Sequence, residues 1–186
     1  DIRLADDFHI DVQAEIIEFQ LYGYKFESGT ESPFDGATFQ IWNAMPSDPG
    51  MAIFGDTSTN SLIETSWFSG WRVSESDLAN EQRPIMDLRI SPSVHGELQL
   101  ATGVHWIDFS YFSKEAGPLF SPPLATTGTA ATGDGLQYAP ELGGWGPLVD
   151  FEGTEAPQGL PLRVIGLLQN LPGSESCDQP EDLSWL

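Results

Sequence analysis

Three of the six tryptophans lie where exposed aromatic rings are expected. Trp67, Trp71 and Trp145 stand beside Gly, Ser or Pro, residue types that are common in turns and loops. A ring in such a place can stack on a sugar ring while polar neighbours bind the hydroxyl groups. Trp42 and Trp106 lie within apolar alternating segments. Since a sandwich core also needs aromatic side chains, packing in the core is a second interpretation of the tryptophans. Two interpretations are therefore open, a carbohydrate-binding platform at the three loop tryptophans and packing in a core.

Neighbouring carboxylates are the second candidate for chemistry. We select Asp6, Asp7, Asp150 and Glu152 as candidate ligands of a structural calcium ion. Calcium binds several oxygens, which carboxylates and backbone carbonyls supply. These residues do not have the spacing of an EF-hand loop. A solvated acidic surface without an ion explains the same residues.

The sequence gives little support to catalysis. A weak transition-metal site would need His95, His105 and Glu97 to approach one another across one hairpin. The chain contains neither His-Glu-x-x-His nor Gly-x-Ser-x-Gly, and Cys177 has no histidine near it in sequence. A carboxylate pair for glycoside hydrolysis is defined by its separation in space, which sequence does not reveal. We therefore expect no catalytic residue and no enzymatic activity.

The charge of the chain limits the kinds of partner that it is expected to bind. There are 28 acidic and 7 basic residues among 186, and the net charge is -21. Such a charge repels nucleic acids and anionic membrane surfaces and favours bound cations. One cysteine allows no internal disulfide, and the scarcity of cysteine and lysine suits an exported protein. No apolar run approaches the ~20 residues of a membrane helix, so we expect a secreted or cell-surface protein without membrane insertion.

Alternating apolar and polar residues predict β-strands along most of the chain. The segments are 2–8, 16–26, 37–43, 51–54, 61–67, 70–73, 85–90, 96–112, 135–138 and 160–168. In the second segment Ile17, Phe19 and Leu21 share one side, although a helix over 12–19 is a weaker alternative. One short helical turn is expected after Ser74, and the last strand is expected to be fully buried if its apolar run is continuous.

The clearest local pattern lies between Gly96 and Phe112. Two alternating runs are joined there by Ala101-Thr102-Gly103, which predicts a β-hairpin in a half-buried antiparallel sheet. The predicted fold is an all-β, jelly-roll-like antiparallel sandwich with long loops, over residues 1–166. Residues 167–186 are acidic and rich in Ser and Pro, which predicts a linker-like tail or an interaction segment.

Six core and turn motifs add a resemblance to these patterns. They are Ala5–Phe8, Phe19–Tyr24, Phe39–Asn43, Gln82–Met86, Val104–Asp108 and Ala156–Pro161. In this order they resemble poorly characterised secreted bacterial β-sandwich domains of large modular exoproteins. The resemblance spans about residues 5–166 and implies the architecture and export, but it transfers no active site. The tail over 177–186 resembles the first strand of an immunoglobulin-like repeat, which implies a fragment of a longer protein.

Together these expectations describe a non-catalytic extracellular module for binding, adhesion or structural assembly. Its partners would be other protein domains or subunits, or a polysaccharide, and not nucleic acid. One alternative is a carbohydrate-binding module that uses the loop tryptophans. Another is a subunit of a surface filament, in which an end segment of one chain adds a β-strand to its neighbour.

Overall fold

The computed structural model describes residues 2–47, 50–73, 77–124, 129–150 and 156–168, together with the backbone of 181–182. Within these residues the chain forms twelve β-strands in two antiparallel sheets, which confirms the predicted all-β sandwich. Its helical content there is two 3-10 turns, Pro92–Val94 and Pro140–Leu142. Neither turn has the length that a membrane-crossing helix requires.

Sheet A contains the first strand of the chain near its centre. In chain order its strands are β1 (Arg3–Ile10), β3 (Phe34–Trp42), β4 (Ala52–Asp56), β8 (Gly103–Ser113), β9 (Leu136–Ala139) and β10 (Gly144–Pro147). They lie side by side in the order β10-β9-β1-β8-β3-β4. Of the residues of β1, only Arg3–Ala5 pair with β9, so the rest of β1 borders on loops at that edge.

Sheet B contains the remaining strands. They are β2 (Ala14–Tyr24), β5 (Leu62–Trp71), β6 (Pro84–Ile90), β7 (Leu98–Leu100), β11 (Leu162–Leu168) and β12 (Glu181–Asp182). Their order is β12-β11-β2-β6-β5, and β7 pairs with the first residues of β2. Because β1, β2 and β3 alternate between the sheets, the chain crosses from one sheet to the other after β1 and again after β2.

Aromatic rings join the two sheets. Phe19 of sheet B lies with its ring centroid 5.8 Å from that of Phe8 and 5.6 Å from that of Phe39, both in sheet A. Leu88 and Ile107, one from each sheet, are completely buried beside them. The alternation of apolar residues along each strand supplies this core, since every second side chain points between the sheets.

The predicted hairpin between residues 96 and 112 is wrong. Both strands form, but β7 pairs with β2 in sheet B, whereas β8 pairs with β1 and β3 in sheet A. The Ala101-Thr102-Gly103 segment therefore crosses between the sheets, and Gly103 has a φ of 138°, which side-chain-bearing residues rarely adopt. Alternation shows only which side of a strand is buried. Two strands show the same alternation whether they pair in a hairpin or lie in different sheets, so alternation cannot distinguish the two.

A β-bulge in β2 changes which isoleucine faces the core. Gly166 of β11 pairs with Ile16 of β2, whereas the adjacent Ile165 pairs with Glu18. Ile17 is therefore the extra residue of the bulge. Ile16 is 2% exposed, whereas Ile17 is only partly buried. Phe19 and Leu21 face the core as predicted, and Ile17 does not.

Other predicted boundaries need smaller corrections. The alternative of a helix over 12–19 is wrong, because β2 begins at Ala14. Segments 61–67 and 70–73 form one strand, β5, which has an irregularity between Trp67 and Trp71. Strand β10 has no counterpart among the predicted segments. Strand β11 is not fully buried, since its exposure alternates and its last residue is exposed.

The tail is only partly described. Strand β12 pairs through its backbone with Ile165 and Gly166 of β11, and β11 itself continues to Leu168. Residues 169–180, which include Cys177, and residues 183–186 lie outside the described residues, as do residues 74–76. The expected turn after Ser74 and the division of the chain at residue 166 therefore stay predictions.

The bulge can be tested with two matched substitutions. Ile16→Ala should lower the free energy of unfolding by about 3 kcal/mol, because it leaves a cavity in a packed core. Ile17→Ala should lower it by less than about 1.5 kcal/mol, because that side chain is partly in solvent. Urea unfolding followed by tryptophan fluorescence measures both. A larger loss for Ile17→Ala than for Ile16→Ala would place the bulge elsewhere.

Candidate functional site

The three loop tryptophans do not come together. Trp67 and Trp71 lie on β5, where their ring centroids are 5.2 Å apart and Trp67 packs against the main core. Trp145 lies on β10, at the edge of the other sheet. The structure therefore divides the predicted platform between two sheets. A ligand-binding role for each tryptophan stays a prediction.

Six polar and aromatic side chains gather on the outer surface of sheet A. The strand pairing aligns Arg3 with Tyr138, and Tyr138 with Trp145. These residues point away from the core, because Leu4, next to Arg3, is buried in it and neighbours along a strand alternate. We call this surface the Arg3 face. It consists of Arg3, Gln40, Trp42, Asp108, Tyr138 and Trp145.

An ion pair between the partly exposed Arg3 and the buried Asp108 lies at the centre of the Arg3 face. The Nε of Arg3 donates to Oδ1 of Asp108 at 2.7 Å, and its Nη2 donates both to Oδ2 of Asp108 and to Oε1 of Gln40, the latter at 2.8 Å. Trp42 donates from Nε1 to Oδ2 of Asp108 at 2.7 Å. The Asp108 side chain is 1% exposed. Burial raises the pKa of this carboxyl, and the hydrogen bonds and charge of Arg3 oppose that rise.

Two aromatic rings that touch each other lie beside the cation. The Cζ of Arg3 lies 5.3 Å from the ring centroid of Trp145 and 5.6 Å from that of Tyr138. The two rings contact each other edge to face, with centroids 5.4 Å apart. A guanidinium that is fixed by a carboxylate and by two rings keeps one geometry. The Arg3 face is thus a rigid surface with aromatic faces and hydrogen-bond donors side by side.

A second small apolar cluster lies beside the rings, on the same surface of sheet A. That cluster consists of Ala5, Trp106 and Leu136. Trp42 and Trp145 pack against it and remain partly exposed. Sequence reasoning placed Trp42 in the core because it lies in a strand, whereas β3 presents it on the outer side. One signal was available in the sequence, since Arg3 is one of only seven basic residues and lies inside a predicted strand.

The predicted carboxylate ligands are partly brought together. Oxygens of Asp6, Asp7 and Asp134 lie within 4.8 Å of one another, in a cavity of about 360 Å³ between β1 and β11. Asp150 lies elsewhere, where its Oδ2 is 2.5 Å from Nη2 of Arg72. Glu152 lies outside the described residues. Asp134 was not predicted, because only the fold brings the loop before β9 beside β1.

Asp6 ties a loop to β1. Its Oδ2 accepts a hydrogen bond from the Leu160 N–H at 2.5 Å, and its Oδ1 accepts one from the Asp7 N–H at 3.0 Å. Burial raises the pKa of Asp6 to about 6, the two N–H groups oppose that rise, and the charges of Asp7 and Asp134 add to it. The cluster can supply three of the several oxygens that calcium needs.

A serine, a histidine and an aspartate lie in the order of a hydrolase triad. The Oγ of Ser61 is 3.2 Å from Nε2 of His95, and Nδ1 of His95 is 3.7 Å from Oδ2 of Asp56. Ser61 is completely buried, and the His95 ring contacts Phe39 and Phe54. A nucleophile must reach its substrate. We therefore interpret this row as internal packing, which sequence reasoning did not predict.

The weak alternative of a transition-metal site at His95, His105 and Glu97 is not supported by the structure. His95 is bonded to Ser61, whereas Nε2 of His105 lies 2.9 Å from the carbonyl oxygen of Ala101. Among the residues that the structure describes, His95, His105 and Glu97 do not form a group of potential ligands. The reason is the crossing at residues 101–103, which sends β7 and β8 to different sheets.

Comparisons of this chain with protein-family models, with curated proteins and with solved structures found no match. A function must therefore be argued from the residues of these sites.

The burial of Asp6, together with the repulsion from its neighbouring carboxylates, should appear in the pH dependence of stability. Asp6 has a pKa of about 6 in the folded chain against an ordinary value of 3.8, so between these values the folded state binds a proton that the unfolded state lacks. This group therefore stabilises the fold as pH falls from about 7 to about 4, by roughly 2 kcal/mol. Asp134→Asn should raise the free energy of unfolding at pH 7 by ~0.5 kcal/mol, and by less at pH 4. Urea titrations at both pH values measure this, and a variant that is less stable than wild type at pH 7 would contradict it.

Calcium binding at the same carboxylates stays a prediction. An ion that binds only the folded state adds ~2.7 kcal/mol at a hundredfold excess over its Kd. Calcium should therefore raise the Tm of wild type at an ionic strength matched with sodium chloride. Asp134→Asn should lose most of this increase, whereas Glu31→Gln, an exposed loop residue, should keep it. An unchanged wild-type Tm would remove the calcium hypothesis.

Proposed function

We propose that this protein is a non-catalytic extracellular binding module whose Arg3 face binds a neutral polysaccharide. One observation carries the proposal. The guanidinium of Arg3 is held by a buried Asp108 beside the rings of Tyr138 and Trp145, on the outer surface of a sheet.

The surface offers both kinds of contact that sugars use. A pyranose ring has an apolar face of C–H groups, which packs on an aromatic ring, and a rim of hydroxyl groups, which need hydrogen bonds. Trp145 and Tyr138 supply partly exposed rings. The Nη1 of Arg3 makes no hydrogen bond to residues that the structure describes, so its two N–H groups can donate to hydroxyls.

The fixed geometry favours binding. Arg3 is already oriented by Asp108 and Gln40, and Trp42 is oriented by its own hydrogen bond to Asp108. Side chains that are ordered before a ligand arrives lose less conformational entropy on binding. Strands lie on both sides of β1 in sheet A, so the surface around Arg3 also leaves room for an extended chain of sugars.

Charge supports a neutral ligand. Asp108 compensates the charge of Arg3, so the Arg3 face itself has no excess of positive charge. The whole chain has a net charge of -21, which repels polyanions such as uronate polymers at low salt. Neutral glucans, xylans and mannans are therefore the polysaccharides to examine first.

An extracellular location belongs to the same proposal. It is supported by the acidic composition, by the scarcity of cysteine and lysine, and by the resemblance to secreted sandwich domains. Adhesion would follow if the polysaccharide belonged to a surface.

The proposal can be tested by affinity electrophoresis in gels that contain xylan, laminarin, mannan or mixed-linkage glucan. We expect one of them to retard wild type, and we expect Trp145→Ala to weaken that binding about tenfold. Trp71→Ala is the matched control, because it removes the same side chain from sheet B and should leave binding unchanged. No retardation by any of the four polymers would reject the proposal. An equal loss in Trp71→Ala would move the site to β5.

A further inference from the structure

A mostly apolar cleft opens at one end of the sandwich, where β1 begins and β2 ends. Its volume is about 390 Å³. Leu4 and Leu148 lie along it and also pack against the main core. Cavities of this size that combine apolar walls with a few polar groups are typical of binding sites for small molecules.

Large apolar side chains at the cleft remain in solvent. Ile2 is 48% exposed, Phe26 is 46% exposed and Phe120 is 39% exposed, and all three line the same cavity. Single exposed apolar residues are ordinary, but a group around one cavity indicates a surface that a ligand covers.

Tyr24 and Phe120, which both line the cleft, form a fixed aromatic pair that we call its aromatic wall. The rings of Tyr24 and Phe120 are stacked, with centroids 5.3 Å apart and an angle of 20° between the planes. Two backbone hydrogen bonds, of 2.8 and 3.0 Å, join the same two residues. The wall is therefore held by the backbone and does not depend on a ligand for its shape.

Gln137 brings a polar group into this apolar cleft. It lies on β9 opposite Leu4, on the side that faces between the sheets, and it lines the cavity. Its side-chain amide makes no hydrogen bond to any residue that the structure describes. Gln158 lines the same cavity but is satisfied, because its Nε2 donates to the carbonyls of Ala130 and Ala156. The Gln137 amide is thus the group that can bond a ligand.

The charges beside the cleft favour an uncharged ligand. Arg83 and Asp150 both line the cavity, so its charged groups have opposite signs. Asp150 is also paired with Arg72. The strong negative charge of the chain disfavours an anion, and the apolar walls disfavour any ion.

We propose that this cleft binds a small, uncharged aromatic molecule that packs against the Tyr24–Phe120 wall and hydrogen-bonds to the Gln137 amide. The site is separate from the Arg3 face. Gln137 and Tyr138 are neighbours on β9, and alternation sends the first between the sheets and the second to the outer surface.

Two probes that differ by one hydroxyl group test the proposal, 2-naphthol and naphthalene. Wild type should bind 2-naphthol about tenfold more tightly than naphthalene in fluorescence titrations, since only 2-naphthol can bond to Gln137. In Gln137→Leu this ratio should fall to about one, with naphthalene binding retained. Phe120→Ala should weaken both probes at least fivefold. Phe68→Ala, which removes a similarly exposed ring from the outer face of sheet B, should change neither.

A measurement on wild type alone does not depend on whether any variant folds correctly. The side-chain NH2 resonances of Gln137 should shift in NMR spectra when 2-naphthol is added. Absence of binding by wild type, a ratio that persists in Gln137→Leu, or an equal loss in Phe68→Ala would each overturn the proposal. Retention of 2-naphthol binding in Trp145→Ala would show that the cleft is independent of the polysaccharide site.

Discussion

The contact of Phe19 with Phe8 and Phe39 holds the two sheets together, and the outer surfaces depend on it. The described part of the chain contains no disulfide, so its stability rests on burying apolar side chains between sheets. These rings are the largest of those side chains near the centre. A sheet can present an ordered outer surface only when its inner surface is fixed in this way.

Alternation along each strand transmits that order to the sites. Leu4 is anchored in the core, and Arg3 beside it is therefore fixed on the outer surface. Ile107 anchors β8 in the same manner, and Asp108 follows it on the opposite side. The ion pair of Arg3 and Asp108 is thus positioned by apolar neighbours of both residues. Because both ends are held, the buried carboxylate keeps its partner.

The sequence could predict strands and their buried sides, but not their partners. Period-two alternation located the strands correctly, with the exceptions of β10 and β12, and Phe19 and Leu21 face the core as expected. It could not distinguish a hairpin from a crossing at residues 101–103, and it could not locate the bulge at Ile17. The candidate sites suffer from the same limit. Arg3 meets Asp108, and Asp6 meets Asp134, only because strand order joins segments that are far apart in the chain.

The crossing at residues 101–103 has a kinetic consequence. Strand β8 has no local partner, because the strand before it belongs to the other sheet. Its partners are β1 and β3, which lie far earlier in the chain. Closing such long loops costs entropy before the pairing is gained. The centre of sheet A therefore forms by long-range association. Folding of this protein belongs to the slow class, with times of milliseconds to seconds, in which topology and not local propensity sets the rate.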